Sequence, residues 1–459
     1  MDTSTRGVRV SVLAALSVAF GVGQAVQASN GNLDPGAIRW LSFAVVMGVG
    51  LLAFGARVVR SSWGEQLLLG VGGAAVCWQF AQLFSTPPGI YLRLPNVQAL
   101  FTFYGGLAAA AVLVGAGLSE SPWLGRWRSV LLVGLFLLVG RWMLNASPSP
   151  HIDVFVFQRD GAAALLQGVN PYSLRYPDIY GNSPFYGPGL SVNGQLQFGF
   201  PYFPLGLLLT LPAHALAGDY RWTQLIAMAM TGLVIMELRP SVLSRLAGAV
   251  FLFSPRTFFV LEQGWTEPLV LGALSLLVVV AERWPRWLPY ALGLLIAVKQ
   301  YTVFMVPLAF LLLPRPLTWR GAATFAAKAA APALLVTLPF VAWGPRDFWF
   351  DVVQLQVLQP FRDEALSFLA WWKQQHGVQP STAWPFVAAI AAVALSVWRF
   401  SRTIGGFVGA LSVTYLVFFA TNKQAFCNYY YLVIGAAALS AALFQGEKDT
   451  ASRAPSAAA

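Results

Sequence analysis

Carboxylates are scarce in this chain, and two of them stand seven residues apart in one polar segment, HIDVFVFQRDGAAALLQGVNPY, residues 151–172. Pro148 and Pro150 precede Asp153, and the stretch from there to about Gln167 reads as an amphipathic helix ended by Gly168 and Asn170-Pro171. Asp153 therefore falls at a helix start, where a carboxylate accepts hydrogen bonds from free backbone N–H groups. Capping and general-base catalysis are compatible there. The helix dipole favours the ionised form, which is the form that accepts a proton. Asp160, close to two turns on, shares that face at a distance of roughly 10 Å along the axis. Such a separation suits an acceptor-binding carboxylate better than a second acid acting on the same atom. The alternative is that Arg159 simply neutralises it.

A second set is cationic. Lys299 lies between two short apolar segments, Lys423 sits in the tip TNKQAFCN, and Arg256 and Arg362 fall in polar intervals. Lys and Arg are the natural partners of a lipid phosphate, and the alternative is snorkelling at helix ends. A third set is aromatic: Tyr172, Tyr176, Tyr180, Phe185, Tyr186, Phe198, Phe200, Tyr202 and Phe203 crowd one interval. They read either as a membrane-interface belt or as sugar-stacking surface. No P-loop, HExxH, G-x-S-x-G or histidine cluster occurs, so a reaction here needs an already activated substrate.

The elements that must position these groups are membrane helices. Of 459 residues, 57% are hydrophobic and 10% charged, where a soluble domain carries about 25% charged residues. The mean hydropathy is +0.63. Barrel-type alternation is missing, so the class is all-α and polytopic, with about 13–15 transmembrane or re-entrant helices. The net charge of +11 does not indicate nucleic acid, because the basic residues recur in pairs between spans. Cys77 and Cys427 show neither metal spacing nor a disulfide framework. No soluble domain is expected.

Apolar segments read near 10–27, 40–56, 66–84, 97–118, 129–146, 201–217, 222–238, 243–255, 268–281, 287–298, 302–313, 321–342, 383–398, 403–420 and 428–445. The first is expected to be a retained helix. Arginine pairs such as Arg57 and Arg60, Arg126 and Arg128, Arg283 and Arg286, and Arg399 and Arg402 put their loops in the cytoplasm. The intervals 147–200 and 343–382 then become large outer loops carrying short amphipathic helices. Function is expected on the outer side. One conflict remains: two apolar segments lie between residue 200, outside, and Arg239, inside, so one must be re-entrant or interfacial. The expected layout is four N-terminal spans in 1–128, a second region over 129–445, and a disordered cytoplasmic tail, 446–459.

Over roughly 130–440 the chain resembles the C-type (GT-C) glycosyltransferase superfamily, most closely family 87. The shared features are Asp153 in an outer loop, then a helix and G-x-N-P-Y at Gly168, Asn170, Pro171 and Tyr172, then Phe203-Pro204. Gln263-Gly264, Lys299, and the tip with Lys423, Asn428 and Tyr429 extend the likeness. The four N-terminal spans are additional to the commonest arrangement. The resemblance implies an enzyme of the cell (plasma or inner) membrane with its site on the outer, extracytoplasmic face. It would transfer a sugar, mannose above all, from a polyprenyl-phosphate donor to a lipid or glycan acceptor during envelope glycolipid synthesis. Asp153 would be the base. Lys299, Arg362, Lys423 and Arg256 would hold the donor phosphate. Asp160, Asn170, Tyr172, Gln263, Glu267 and Tyr429 would face acceptor or sugar. No metal or cofactor is called for on this reading, and the partners are donor, acceptor and membrane lipids. The rival class is a sugar or polyprenyl-lipid transporter, which moves substrate without covalent change. A non-catalytic envelope scaffold is a third.

Overall fold

The computed structural model describes residues 7–54, 58–60, 64–93, 97–118, 127–181 and 185–445. Arg6, Arg57, Arg126 and the tail expected to be disordered lie outside the described residues. Helices α1 (Val10–Ser29), α2 (Pro35–Phe54), α3 (Gly64–Ser85), α4 (Val97–Leu118) and α5 (Arg128–Ala146) come first. Strands β1 (Gly7–Arg9) and β2 (Val58–Arg60) pair antiparallel beside them, a feature the hydropathy pattern does not announce. Then follow α6 (Asp153–Leu166), the hairpin β3 (Ser191–Val192) and β4 (Gln195–Leu196), and α7 (Pro204–Ala217). The bundle continues with α8 (Arg221–Glu237), α9 (Val242–Leu252), α10 (Thr257–Gln263), α11 (Glu267–Arg283) and α12 (Leu288–Ile296). A single turn, α13 (Met305–Leu308), sits within the run Gln300–Leu312. After α14 (Trp319–Trp343), α15 (Pro345–Trp349) passes through a π-helical turn, Phe350–Gln354, into α16 (Leu355–Leu358). Helices α17 (Phe368–His376), α18 (Trp384–Arg399), α19 (Ile404–Ala420) and α20 (Cys427–Gln445) complete the chain.

The protein is membrane-embedded and all-α in its spans. Among the described residues seven helices are long and apolar enough to cross a bilayer: α1 to α5, α14 and α20. The total is eight if α10 and α11, bent by 114°, count as one. The other segments expected to span or re-enter are shorter, among them α7, α9, α18 and α19, at 10–17 residues. Of these, α9 and α19 are covered by neighbours along almost their whole length, whereas α18 leaves Phe386, Ile390 and Trp398 exposed. Helix α20 is the axis of the bundle, buried almost throughout, and its run of alanines lets α1, α9, α11 and α19 approach closely. Helix α14 is peripheral, with Leu334, Leu335 and Leu338 exposed where acyl chains would lie.

Hydrogen bonds between distant loops define two ends. Arg239 reaches Leu443 and Glu282, Arg399 reaches Leu52 and Ala53, and Arg402 reaches Leu313. These contacts gather the arginine-bearing loops at one end. At the other end Arg221 donates to the carbonyls of Ser147 and Glu262, Leu33 N–H to Glu364, and Gln300 to Pro201.

This arrangement resolves the topological conflict. Residues 201–203 before α7 and 219–221 after it lie at the same end. So α7 does not cross, and α8 alone carries the chain over to Arg239. Its apolar residues pack instead on α6 and α14. The end opposite the paired arginines is also more than a set of connecting loops. Tyr172, Tyr176, Phe198 and Phe200 join Phe340, Phe348 and Val352 in a second, smaller apolar core.

Candidate functional site

Asp153 is the first residue of α6, preceded by Ile152 in an extended conformation. It does not make a usual cap. Its Oδ1 accepts only the adjacent Val154 N–H, at 2.7 Å, and its Oδ2 accepts the Tyr186 hydroxyl at 3.2 Å. Tyr180 completes the clasp by accepting the Asp153 N–H at 3.2 Å. Burial raises the Asp153 pKa, while Val154 N–H, the Tyr186 hydroxyl and the Arg362 charge pull it down. The net displacement is upward, because desolvation outweighs those three contributions.

Asp153 opens into a cavity of about 730 Å³, within the size range of small-ligand sites. Lys299, Arg362 and Tyr429 line the same cavity, together with Tyr202, Trp265 and Asn428. Lys299 is held inside a ring of tyrosines, 5.2 Å from the Tyr202 centroid, 5.3 Å from Tyr301 and 5.5 Å from Tyr429. Its Nζ donates to Glu267 Oε1 at 2.6 Å. Glu267 thus stands behind the lysine, and its Oε2 and the neighbouring Thr266 hydroxyl have no hydrogen-bond partner. Arg362 donates through Nε to Glu364 at 2.6 Å and lies over Phe185 and Phe426.

Six residues expected at the site sit elsewhere, each for a visible reason. Asp160 pairs with Arg159 at 2.7 Å on the partly exposed side of α6. Asn170 caps the 3₁₀ turn Pro171–Ser173, and Tyr172 is fully buried, its hydroxyl donating to Tyr202 O at 2.8 Å. The N-P-Y motif is therefore architecture: it pins the loop beneath the cavity. Lys423 Nζ donates to the carbonyls of Gln359 and Val357, which fastens the α19–α20 tip to α16. Arg256 reaches the carbonyl of Pro87 at 3.2 Å. Gln263 is buried against Glu262 at 3.2 Å. Its neighbour Gly264 has φ +68°, and a Cβ there would stand 2.1 Å from the Tyr220 hydroxyl. That explains a glycine at the α10–α11 bend.

Several site residues escape sequence reasoning. Glu262 accepts the N–H groups of Ile90 and Tyr91, each at 2.8 Å. It thereby pulls the α3–α4 loop over the cavity. Asn30, Asn32, Ile90 and Tyr91 line the cavity too, so the division at residue 128 does not isolate the site from the N-terminal helices. The signal that could have found Glu262 is its rarity, a carboxylate inside an apolar run. Among the described residues, no group of three or more His, Cys, Asp or Glu side chains could hold a metal ion.

No family model, curated protein or solved structure matches the chain. The geometry must therefore carry the functional argument. One desolvated carboxylate, two ion-paired cations and a wall of aromatic rings face a common space. A carboxylate so placed can take a proton from a hydroxyl, and the cations can meet an anionic leaving group.

Proposed function

We propose that the protein is a membrane glycosyltransferase using a polyprenyl-phosphate sugar, with mannose the first sugar to test. An acceptor hydroxyl gives its proton to Asp153 as its oxygen attacks the anomeric carbon. The bond from that carbon to the phosphate oxygen breaks, and the lipid phosphate leaves with inversion. Arg362 and Lys299 meet the charge that grows on the leaving oxygen. Both arrive already paired. Lys299 spends one of its three donors on Glu267, and Arg362 turns its Nε toward Glu364, so each retains N–H groups for phosphate.

The observation that carries this reading is the common cavity of Asp153, Lys299 and Arg362. Its position opposite the end that gathers the paired arginines supports an extracytoplasmic site by the positive-inside rule. The resemblance to family 87 supports the donor class. Tyr202, Trp265 and Tyr429 offer ring faces to a sugar.

The test is transfer from a radiolabelled polyprenyl-phosphate mannose by the purified protein in nanodiscs. Asp153→Asn is expected to lower the rate by about 10²–10⁴-fold. Full activity in that variant would refute the base assignment. Movement of unaltered substrate across proteoliposomes, without glycosidic product, would establish the transporter instead.

A further inference from the structure

A second depression lies behind the wall that closes the cavity. Its volume is about 480 Å³, and its lining includes Arg175, Gln197, Arg346, Asp347, Trp349 and Asp351. Two segments make the wall. In the first, Gln197 faces the depression while Phe198 and Pro201 face the cavity. In the second, Asp351 and Gln354 face the depression while Gln356 and Gln359 face the cavity. The two spaces are thus back to back.

Asp351 is the unexplained group. Its side chain is 1% exposed, Oδ1 accepts the Gly199 N–H at 2.9 Å, and Oδ2 has no hydrogen-bond partner. An unsatisfied buried oxygen costs about 1–3 kcal/mol, and Oδ2 is enclosed beside Gly199, in the wall beneath the depression. Asp351 also lies in the π-helical turn Phe350–Gln354, a rare geometry frequent at functional sites.

The lining charges say what could bind. Arg175 and Arg346 oppose Asp347 around the depression, so neither a phosphate nor a cation would meet charge of one sign. A neutral molecule rich in hydroxyls can use all three, together with the amides of Gln197 and Gln354. Trp349, 56% exposed, supplies a flat apolar face at the rim.

We propose that this depression is a saccharide-binding subsite, separated by the wall from the cavity at Asp153. The binding of saccharide does not rest on the glycosyl-transfer reading.

The experiment uses the full chain in nanodiscs. One arm presents short soluble manno-, galacto- and gluco-oligosaccharides, read by saturation-transfer NMR. The other presents a glycolipid with a dimannosyl headgroup in the nanodisc bilayer, read by native mass spectrometry. Signal in the first arm assigns the site to free glycan, and signal in the second alone assigns it to a lipid-borne one. Trp349→Ala and Arg346→Ala alter exposed side chains and leave the fold intact. Each is expected to weaken binding about tenfold or more. Asp153→Asn is expected to bind as wild type does. Saccharide binding unchanged in the Trp349 and Arg346 variants overturns the subsite, and so does absence of binding in both arms. Inactive Asp153→Asn that still binds saccharide leaves the subsite standing. Active Asp153→Asn overturns the base assignment alone.

Discussion

The two ends of the bundle use charge in opposite ways. At the arginine-rich end, guanidinium groups close helix ends by donating to main-chain carbonyls: Arg399 to Leu52 and Ala53, Arg402 to Leu313. Water could serve those carbonyls nearly as well. At the cavity end, charge is withdrawn from water: Lys299 is 6% exposed, and Glu267, Glu262 and Arg221 are 0% exposed. Desolvation on that scale is costly even when the charges are paired. Sequence alone shows the paired arginines of the first end clearly; it does not show which charges of the second end are buried.

The Lys299–Glu267 pair is where that contrast breaks most sharply. Lys299→Met leaves Glu267 buried without its cation, and is expected to destabilise the fold by about 3–5 kcal/mol. Adding Glu267→Gln removes the stranded carboxyl group and is expected to restore most of that stability without restoring activity. Unfolding in mixed micelles measures both. A double variant no more stable than the single one would show that the pair is not coupled.

Asp351 comes next, on the opposite face of the cavity wall. Burial pushes its pKa from 3.8 up to about 7, partly opposed by the Gly199 N–H and Arg175. The native state therefore holds a proton that the unfolded chain releases. The associated stability is full below pH about 4 and is lost as pH rises through about 7, by up to about 4 kcal/mol. Asp351→Asn cannot titrate and should show a flatter thermal midpoint across that window. Parallel curves for the two proteins would mean that Asp351 is hydrated and ionised throughout.

At the arginine-rich end the expected effect is smaller. Arg399→Ala frees two carbonyls that water can reach and should cost about 1 kcal/mol, with transfer activity unchanged. A larger loss would show that this end, too, relies on desolvated charge.

Much of this contrast was legible from the chain, and what was not has a physical reason. The long spans are readable because about twenty consecutive apolar residues have few soluble uses. The role of α7 is not, because burial beneath α6 and α14 selects the same leucines as lipid does. Asp153 stands out by rarity, whereas Tyr180 and Tyr186, which hold it, are 27 and 33 residues away. Lys299 is visible as an odd cation, but its partner Glu267 is 32 residues distant. Lys423 and Arg256 are equally odd, yet nearby carbonyls absorb them. A cation's type and place show that it needs a partner; only the fold shows whether that partner is backbone or cavity.

The finest test concerns how Asp153 is kept usable as a base. Desolvation lifts its pKa, and the Tyr186 hydroxyl is one of the groups that stabilise the charged form. The acid limb of the transfer rate should therefore lie above the ordinary carboxylate range, with activity rising as Asp153 loses its proton. Tyr186→Phe deletes one hydrogen bond to the carboxylate and adds no charge. The limb should move to higher pH, with the plateau rate at high pH nearly preserved. A limb that stays in place while the plateau falls would mean that Tyr186 acts on substrate rather than on Asp153. A shift to lower pH would mean that the hydroxyl had been favouring the protonated acid, which reverses the electrostatic account of the cavity.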